Sequence, residues 1–282
     1  MAFSLSGLLS KIMRRDRPLV PVVRLSGAIG VGAPLRAGLT LAALEAPLER
    51  AFGIKSAAAV AILINSPGGA AVQSHQIFQR IRSLADEKGK KVIVAVEDVA
   101  ASGGYLIALA GDEIVVDESS IVGSIGVVSA GFGFPKLLER IGVERRVHTA
   151  GEKKVILDPF QPERKEDVAR LESLQSDVHS AFIDLVKKRR GAALADDPDL
   201  FSGAFWSGTR AVALGLADRV GELRTLLKER YGKDVRIKVI ATERSMWRRR
   251  LGGLGSDDRA LRILDRAIAV IEERVLWGRF GL

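Results

Sequence analysis

The chain has 282 residues, 47% of them apolar, enough for one sizeable core with or without a helical appendage. It has no cysteine, which excludes disulfides, thiolate catalysis and cysteine-ligated metals, and its three histidines (His75, His148 and His179) are too scattered to read as a metal site, so no cofactor is expected. The net charge of +9 is concentrated in Arg14-Arg15, Lys187-Lys188-Arg189-Arg190 and Arg248-Arg249-Arg250, which suits an anionic membrane surface; RNP-type aromatics and a helix-turn-helix pattern are missing, so no nucleic-acid partner is expected.

Residues 1–17 form an N-terminal amphipathic segment, with Phe3, Leu5, Leu8, Leu9, Ile12 and Met13 as its apolar positions. It is too short to span a bilayer and lacks a small-residue cleavage site, so neither a transmembrane helix nor a cleavable signal peptide is expected. A helix lying on a membrane and a packed terminal helix both fit it. A single domain is expected over residues 18–242. Residues 19–30 read as a first strand. Residues 39–52 read as a helix, with Leu41, Leu44 and Leu48 at helical spacing. The continuous apolar run 57–65 has the character of a strand buried on both faces. Pro67-Gly68-Gly69 then opens a helix to about residue 85, which Gly89 stops. Residues 91–96 read as a strand, 102–110 as a helix and 113–116 as a short strand. This alternation predicts a layered α/β domain with a largely parallel sheet.

Residues 119–135 read as buried loop and strand, 134–142 as a short helix and 145–149 as a strand. A long helix is expected over 162–190, another over 211–215 and a last strand over 237–240. Residues 243–282 read as a basic linker and a C-terminal amphipathic helix. In that helix Leu261, Leu264, Ile268, Ile271 and Val275 recur at steps of three and four. Either a coiled-coil-like seam or a helical extension packed on the body accounts for them.

The chemistry centres on Asp98-Val99-Ala100-Ala101-Ser102-Gly103-Gly104-Tyr105. Ser102 stands where an apolar strand gives way to a helix. Small neighbours let a substrate backbone approach, and the helix start offers free N–H groups to an oxyanion. Serine is also a favoured helix cap, so the segment alone leaves both roles open. A serine hydroxyl needs a base. His75 and His148 have no evident orienting carboxylate. A lysine serves if it is held neutral by burial, and Gly151-Glu152-Lys153-Lys154 supplies two. A solvated surface pair is the plainer account of them.

Five segments, taken together and in this order, carry a resemblance. They are Asn65-Ser66-Pro67-Gly68-Gly69, the Ser102 segment, Gly123-Ser124-Ile125-Gly126-Val127, Gly151-Glu152-Lys153-Lys154 with Asp158-Pro159-Phe160, and Trp206-Ser207-Gly208 through Gly215-Leu216-Ala217-Asp218. Over about residues 19–223 the chain resembles the signal peptide peptidase A family of Ser-Lys peptidases, which have a Clp-protease/crotonase-type fold. The resemblance implies Ser102 as nucleophile, Lys154 as general base and Ser124 as the hydroxyl that orients the amine. It implies an oxyanion hole from Gly68, Gly69 and the N–H of Gly103. It also implies peptide substrates, such as cleaved signal peptides or other membrane-derived or unfolded peptides. A homo-oligomer is implied too, a ring or dome and perhaps an octamer, with serine and lysine contributed by adjacent subunits in single-unit forms. A cytoplasmic or peripheral membrane location is expected. Two other functions share parts of this pattern. One is a crotonase-type acyl-CoA enzyme, which needs a carboxylate at the thioester rather than a serine. The other is an inactive membrane-associated scaffold.

Overall fold

The computed structural model describes residues 17–30, 38–151, 153–241, 274, 275 and 277–281. The expectations for residues 1–16, for the basic linker and for most of the C-terminal helix lie outside the described residues. The first half of the domain follows the predicted alternation. It runs β1 (Leu19–Ser26), α1 (Leu41–Phe52), β2 (Val60–Ser66), α2 (Ala71–Lys88), β3 (Val92–Ala101), α3 (Gly103–Ala108), β4 (Glu113–Val116) and β5 (Ile121–Gly123). Then come α4 (Pro135–Arg140), α5 (Lys165–Arg190), β6 (Phe205–Ser207), α6 (Gly208–Ala213), β7 (Arg219–Val220), α7 (Leu223–Tyr231) and β8 (Arg236–Ile240). The sheet order is β6-β5-β3-β2-β1-β8, with β4 joined to β3 and β7. Every pairing is parallel except β5 with β6. The fold is the layered, mostly parallel α/β architecture of the Clp-protease/crotonase type.

Alternation along the strands sends side chains to two cores. Val23, Leu25, Ile62, Ile64, Val94 and Val96 face α1, α2 and α3 in the larger one. Val20, Val22, Ala61, Ile93 and Val115 face Leu226 and Leu227 of α7 in the smaller one. Burial on both faces is why β2 reads as an apolar run up to Ile64 and β3 as one up to Val96. Thr40 caps α1 by accepting from the Ala43 N–H, and α2 ends at Gly89 in the left-handed region (φ +60).

Three expectations need correction. Residues 145–149 form no strand: Arg145, Arg146 and His148 are exposed, and among the described residues no strand pairs with them. The expected buried stretch 119–135 is buried only as far as about Ile125, and residues 127–134 are exposed. The Lys187–Arg190 cluster is only partly free charge. The Arg189 side chain donates to the carbonyls of Leu109 and Gly111, both at 2.8 Å. Arg190 donates to the Gly215 carbonyl at 2.7 Å and pairs with Asp218 at 2.9 Å. Arg189 thus satisfies carbonyls just beyond α3, and Arg190 one just beyond α6. Among the described residues no helix is long and apolar enough to cross a membrane.

Candidate active site

Ser102 follows the last residue of β3 and caps α3 with φ 52 and ψ −122. A non-glycine residue rarely occupies that region, which costs about 1–3 kcal/mol and persists only where the surroundings impose it. Here they do. The Ser102 N–H donates to the Gly123 carbonyl at 2.8 Å, and its own carbonyl accepts from Leu106 N–H at 3.0 Å. The side chain is thereby turned off the helix axis and makes no cap bond. The hydroxyl has no hydrogen-bond partner among the described residues.

The β2–α2 turn lies directly on this elbow. A Cβ on Gly68 (φ +103) would stand 2.9 Å from Ser102 Cβ and 3.0 Å from Gly103 N. A Cβ on Gly103 would collide with Ser74 Oγ. Both positions require glycine so that two backbones can meet at the serine. The Gly68 N–H is engaged by Ser66 Oγ at 3.3 Å. The Gly69 and Gly103 N–H groups meet no acceptor among the described residues. Gly69 itself is fixed against Ile29, whose N–H donates to the Gly68 carbonyl and whose carbonyl accepts from Ala70 N–H, both at 2.9 Å.

Ser124 repeats the arrangement of Ser102 one strand over. Ala101 pairs with Gly123, so Ser102 and Ser124 each follow the end of adjacent parallel strands. Ser124 has φ 53 and is 8% exposed. Its N–H donates to the Ala204 carbonyl at 2.7 Å, and its hydroxyl has no partner among the described residues. Two hydroxyls and two N–H donors without partners among the described residues thus lie at the carboxyl ends of β2, β3 and β5. That set can bind a polarised carbonyl and deliver an oxygen nucleophile to it, given a base.

Lys154 is placed differently. It lies on an arm that runs from about residue 127 through α4 to the start of α5, is exposed, and its side chain has no hydrogen-bond partner among the described residues. The arm is anchored beyond it. Arg145 pairs with Asp158 at 2.7 Å and lies over the Phe160 ring at 5.0 Å. The Phe134 N–H donates to the Pro159 carbonyl at 2.6 Å. The Arg145 hydrogen bond, helped by the Phe160 N–H, holds the Asp158 carboxyl below its ordinary pKa. Phe132, Leu137, Ile141 and Val143 are exposed along the same arm. One chain therefore gathers Gly68, Gly69, Ser102, Gly103 and Ser124, and leaves Lys154 and Lys153 in solvent.

The histidines lie outside this set. His75 stacks on Phe78, His148 is exposed, and His179 contacts the Ile125 carbonyl. Two polar contacts were not anticipated. The Tyr105 hydroxyl, fully buried, donates to the Leu216 carbonyl at 2.9 Å, and burial pushes its pKa well above normal. The Asn65 side chain bridges an irregularity in β3. Its signal was a polar residue closing an otherwise apolar strand.

The family model described as peptidase family S49 matches residues 85–236. A Brucella abortus protein named Na(+)/H(+) antiporter NhaA is 55% identical over 294 residues, covering 100% of this chain and 40% of that protein. The chloroplastic serine protease SPPA of Arabidopsis thaliana is 32% identical over 212 residues, covering 73% of this chain and 31% of that protein. The chain thus spans less than half the length of either relative. A solved structure of the 1510-N membrane-bound stomatin-specific protease, a lysine-to-alanine variant in complex with a substrate peptide, shares the fold. Its TM-score is 0.50 at 16% identity, covering 89% of this chain and 99% of that one. With more than half its length matched by the family model, this chain belongs to peptidase family S49.

Proposed function

We propose that this chain is a serine endopeptidase whose site is completed between subunits of a homo-oligomer. The observation that carries the reading is the Ser102 elbow, a strained serine with a free hydroxyl beside the unengaged N–H groups of Gly69 and Gly103. Lys154 is the general base, brought from a neighbouring copy. Its position on an exposed arm with Phe132, Leu137, Ile141 and Val143 supports this, because an apolar surface of that kind is suited to burial against another chain. That contact would also strip water from the amine and favour its neutral form.

In the reaction, Ser102 Oγ attacks the peptide carbonyl carbon as its proton passes to Lys154 Nζ. The oxyanion accepts hydrogen bonds from Gly103 N–H and Gly69 N–H. The C–N bond then breaks, and Lys154 returns the proton to the leaving amine. Water attacks the acyl-enzyme in the same way, and Ser102 is regenerated. The Ser124 hydroxyl accepts from the Lys154 amine and orients it without adding a negative charge that would hold it protonated. Substrates are cleaved signal peptides or other membrane-derived or unfolded peptides, met at a membrane surface. The chain's basic balance and the antiporter name of a 55% identical, longer relative support that setting.

Hydrolysis of a fluorogenic peptide panel tests the assignment. Ser102→Ala and Lys154→Ala should each lower kcat by about 10³-fold or more, as removal of a nucleophile or its base does elsewhere. Lys153→Ala should retain most of the wild-type rate. Loss in Lys153→Ala with retention in Lys154→Ala would move the base by one residue. Undiminished turnover in Ser102→Ala would end the proposal.

A further inference from the structure

β2 and β3 do not advance in step. They pair from Val60 with Val92 through Ile64 with Val96, and pairing resumes at Ser66 with Ala100. β2 advances two residues across that interval and β3 advances four. β3 therefore carries two more residues than β2 across this interval, and the bulge holds Glu97 and Asp98, five and four positions before Ser102. At about 3.3 Å per residue, an uninterrupted ladder would carry Ser102 some 7 Å past the Gly68-Gly69 turn. The bulge is what brings the serine to that turn.

One side chain spans it. Asn65 Nδ2 donates to Asp98 Oδ2 at 2.6 Å, and Asn65 Oδ1 accepts from the Val99 N–H at 3.2 Å. The Asn65 carbonyl accepts from the Gly27 N–H at 2.9 Å, which ties β2 to the end of β1. Asn65 is 8% exposed, whereas Asp98 is exposed. The two bonds need a donor and an acceptor on one short planar group. Aspartate offers acceptors only and would repel Asp98. Leucine offers neither and would strand the Val99 N–H.

We propose that Asn65 is a positioning residue for Ser102, acting as a clasp on the Glu97–Asp98 bulge. The connection is short and stiff. Val99, Ala100 and Ala101 are fully buried, and Ala100 and Ala101 are paired to Ser66 and Gly123. A slip of the bulge passes along these residues to Ser102 and shifts it against Gly68, where there is no slack. Bulges beside active sites commonly re-aim a side chain in this way. The proposal rests on Ser102 being the nucleophile.

The test uses the full chain and a fluorophosphonate probe, with the site of labelling located by mass spectrometry. Wild type should label at Ser102, and Ser102→Ala should not. Asn65→Asp should slow labelling by about 10- to 100-fold, the scale of a misplacement near 1 Å, and lower peptide kcat in parallel with KM within about twofold. The reversed pair Asn65→Asp/Asp98→Asn restores a donor facing an acceptor and should recover labelling to within about threefold of wild type, a coupling that a merely structural role would not give. Should Asn65→Asp fail to fold, Asp98→Ala removes only an exposed carboxylate and should still slow labelling by about 3- to 10-fold. Labelling of Asn65→Asp at the wild-type rate, a reversed pair no faster than the single variant, or undiminished labelling of Asp98→Ala would each overturn the clasp alone. Failure of wild type to label at Ser102 would overturn both the clasp and the peptidase assignment.

Discussion

At Ser102 the backbone is held where an ordinary residue would relax away, and the packing around it shows how. Gly68 leaves no room for a Cβ beside the serine, the Gly123 carbonyl takes the serine N–H, and α3 begins at the next residue. Gly68→Ala tests this directly. The added methyl would meet Ser102 Cβ at 2.9 Å while the backbone sits at φ +103, so both sterics and conformation oppose it. The expected outcome is a kcat loss of about 10²-fold or more from a displaced serine, measured by steady-state hydrolysis of a peptide substrate. Wild-type turnover in Gly68→Ala would show that the turn does not bear on the nucleophile. The serine and its glycines were legible in the chain because exposure at a tight strand-to-helix junction demands small residues. The Asn65 clasp was not, because a polar residue that closes one apolar strand and a Glu97-Asp98 pair that interrupts the next do not by themselves reveal a change of register between the two.

Among the elements, the central strands and their helices follow from hydrophobic pattern, and the short pieces do not. β6 and β7 are three and two residues long. Such strands form because neighbours already present an edge, which no local pattern reveals. The same logic explains the expected strand at 145–149, where Val147 stands among polar residues and finds no edge to join among the described residues. That segment instead belongs to the arm, whose fixed point is the Arg145–Asp158 pair. Because the pair depresses the Asp158 pKa, it stabilises the arm above the unfolded carboxyl value of about 3.9. That stabilisation is lost as pH falls through the lower, folded value. Amide exchange at Phe160, whose N–H donates to Asp158 at 3.0 Å, should stay slow above that window. After correction for the intrinsic pH dependence of exchange, its protection should fall below it. Arg145→Ala should raise the pH at which protection is lost. Protection unchanged by Arg145→Ala would show that the arm is held elsewhere.

For the whole molecule, two surfaces stand out, and each was only half visible in the sequence. The basic cluster at the end of α5 looked like a partner-binding patch, yet Arg189 and Arg190 spend their charge on internal carbonyls and on Asp218. Residues 119–135 read as buried, yet from Val127 on they open an arm that exposes apolar side chains, and its Lys154 has no partner among the described residues. Spacing identifies residues that a family keeps together but is silent on whether one chain or two brings them into contact. In a single copy Ser102, Gly69 and Gly103 lie at the ends of neighbouring strands and turns, while Lys154, the base we propose, stands in solvent.

Mixing two inactive variants bears on this most directly. Ser102→Ala keeps its lysine and Lys154→Ala keeps its serine. Co-assembled in equal amounts, they should regain roughly a quarter of the wild-type rate, the statistical share of contacts that join an intact serine to an intact lysine. A verified mixed oligomer as inactive as either parent would contradict a site shared between subunits.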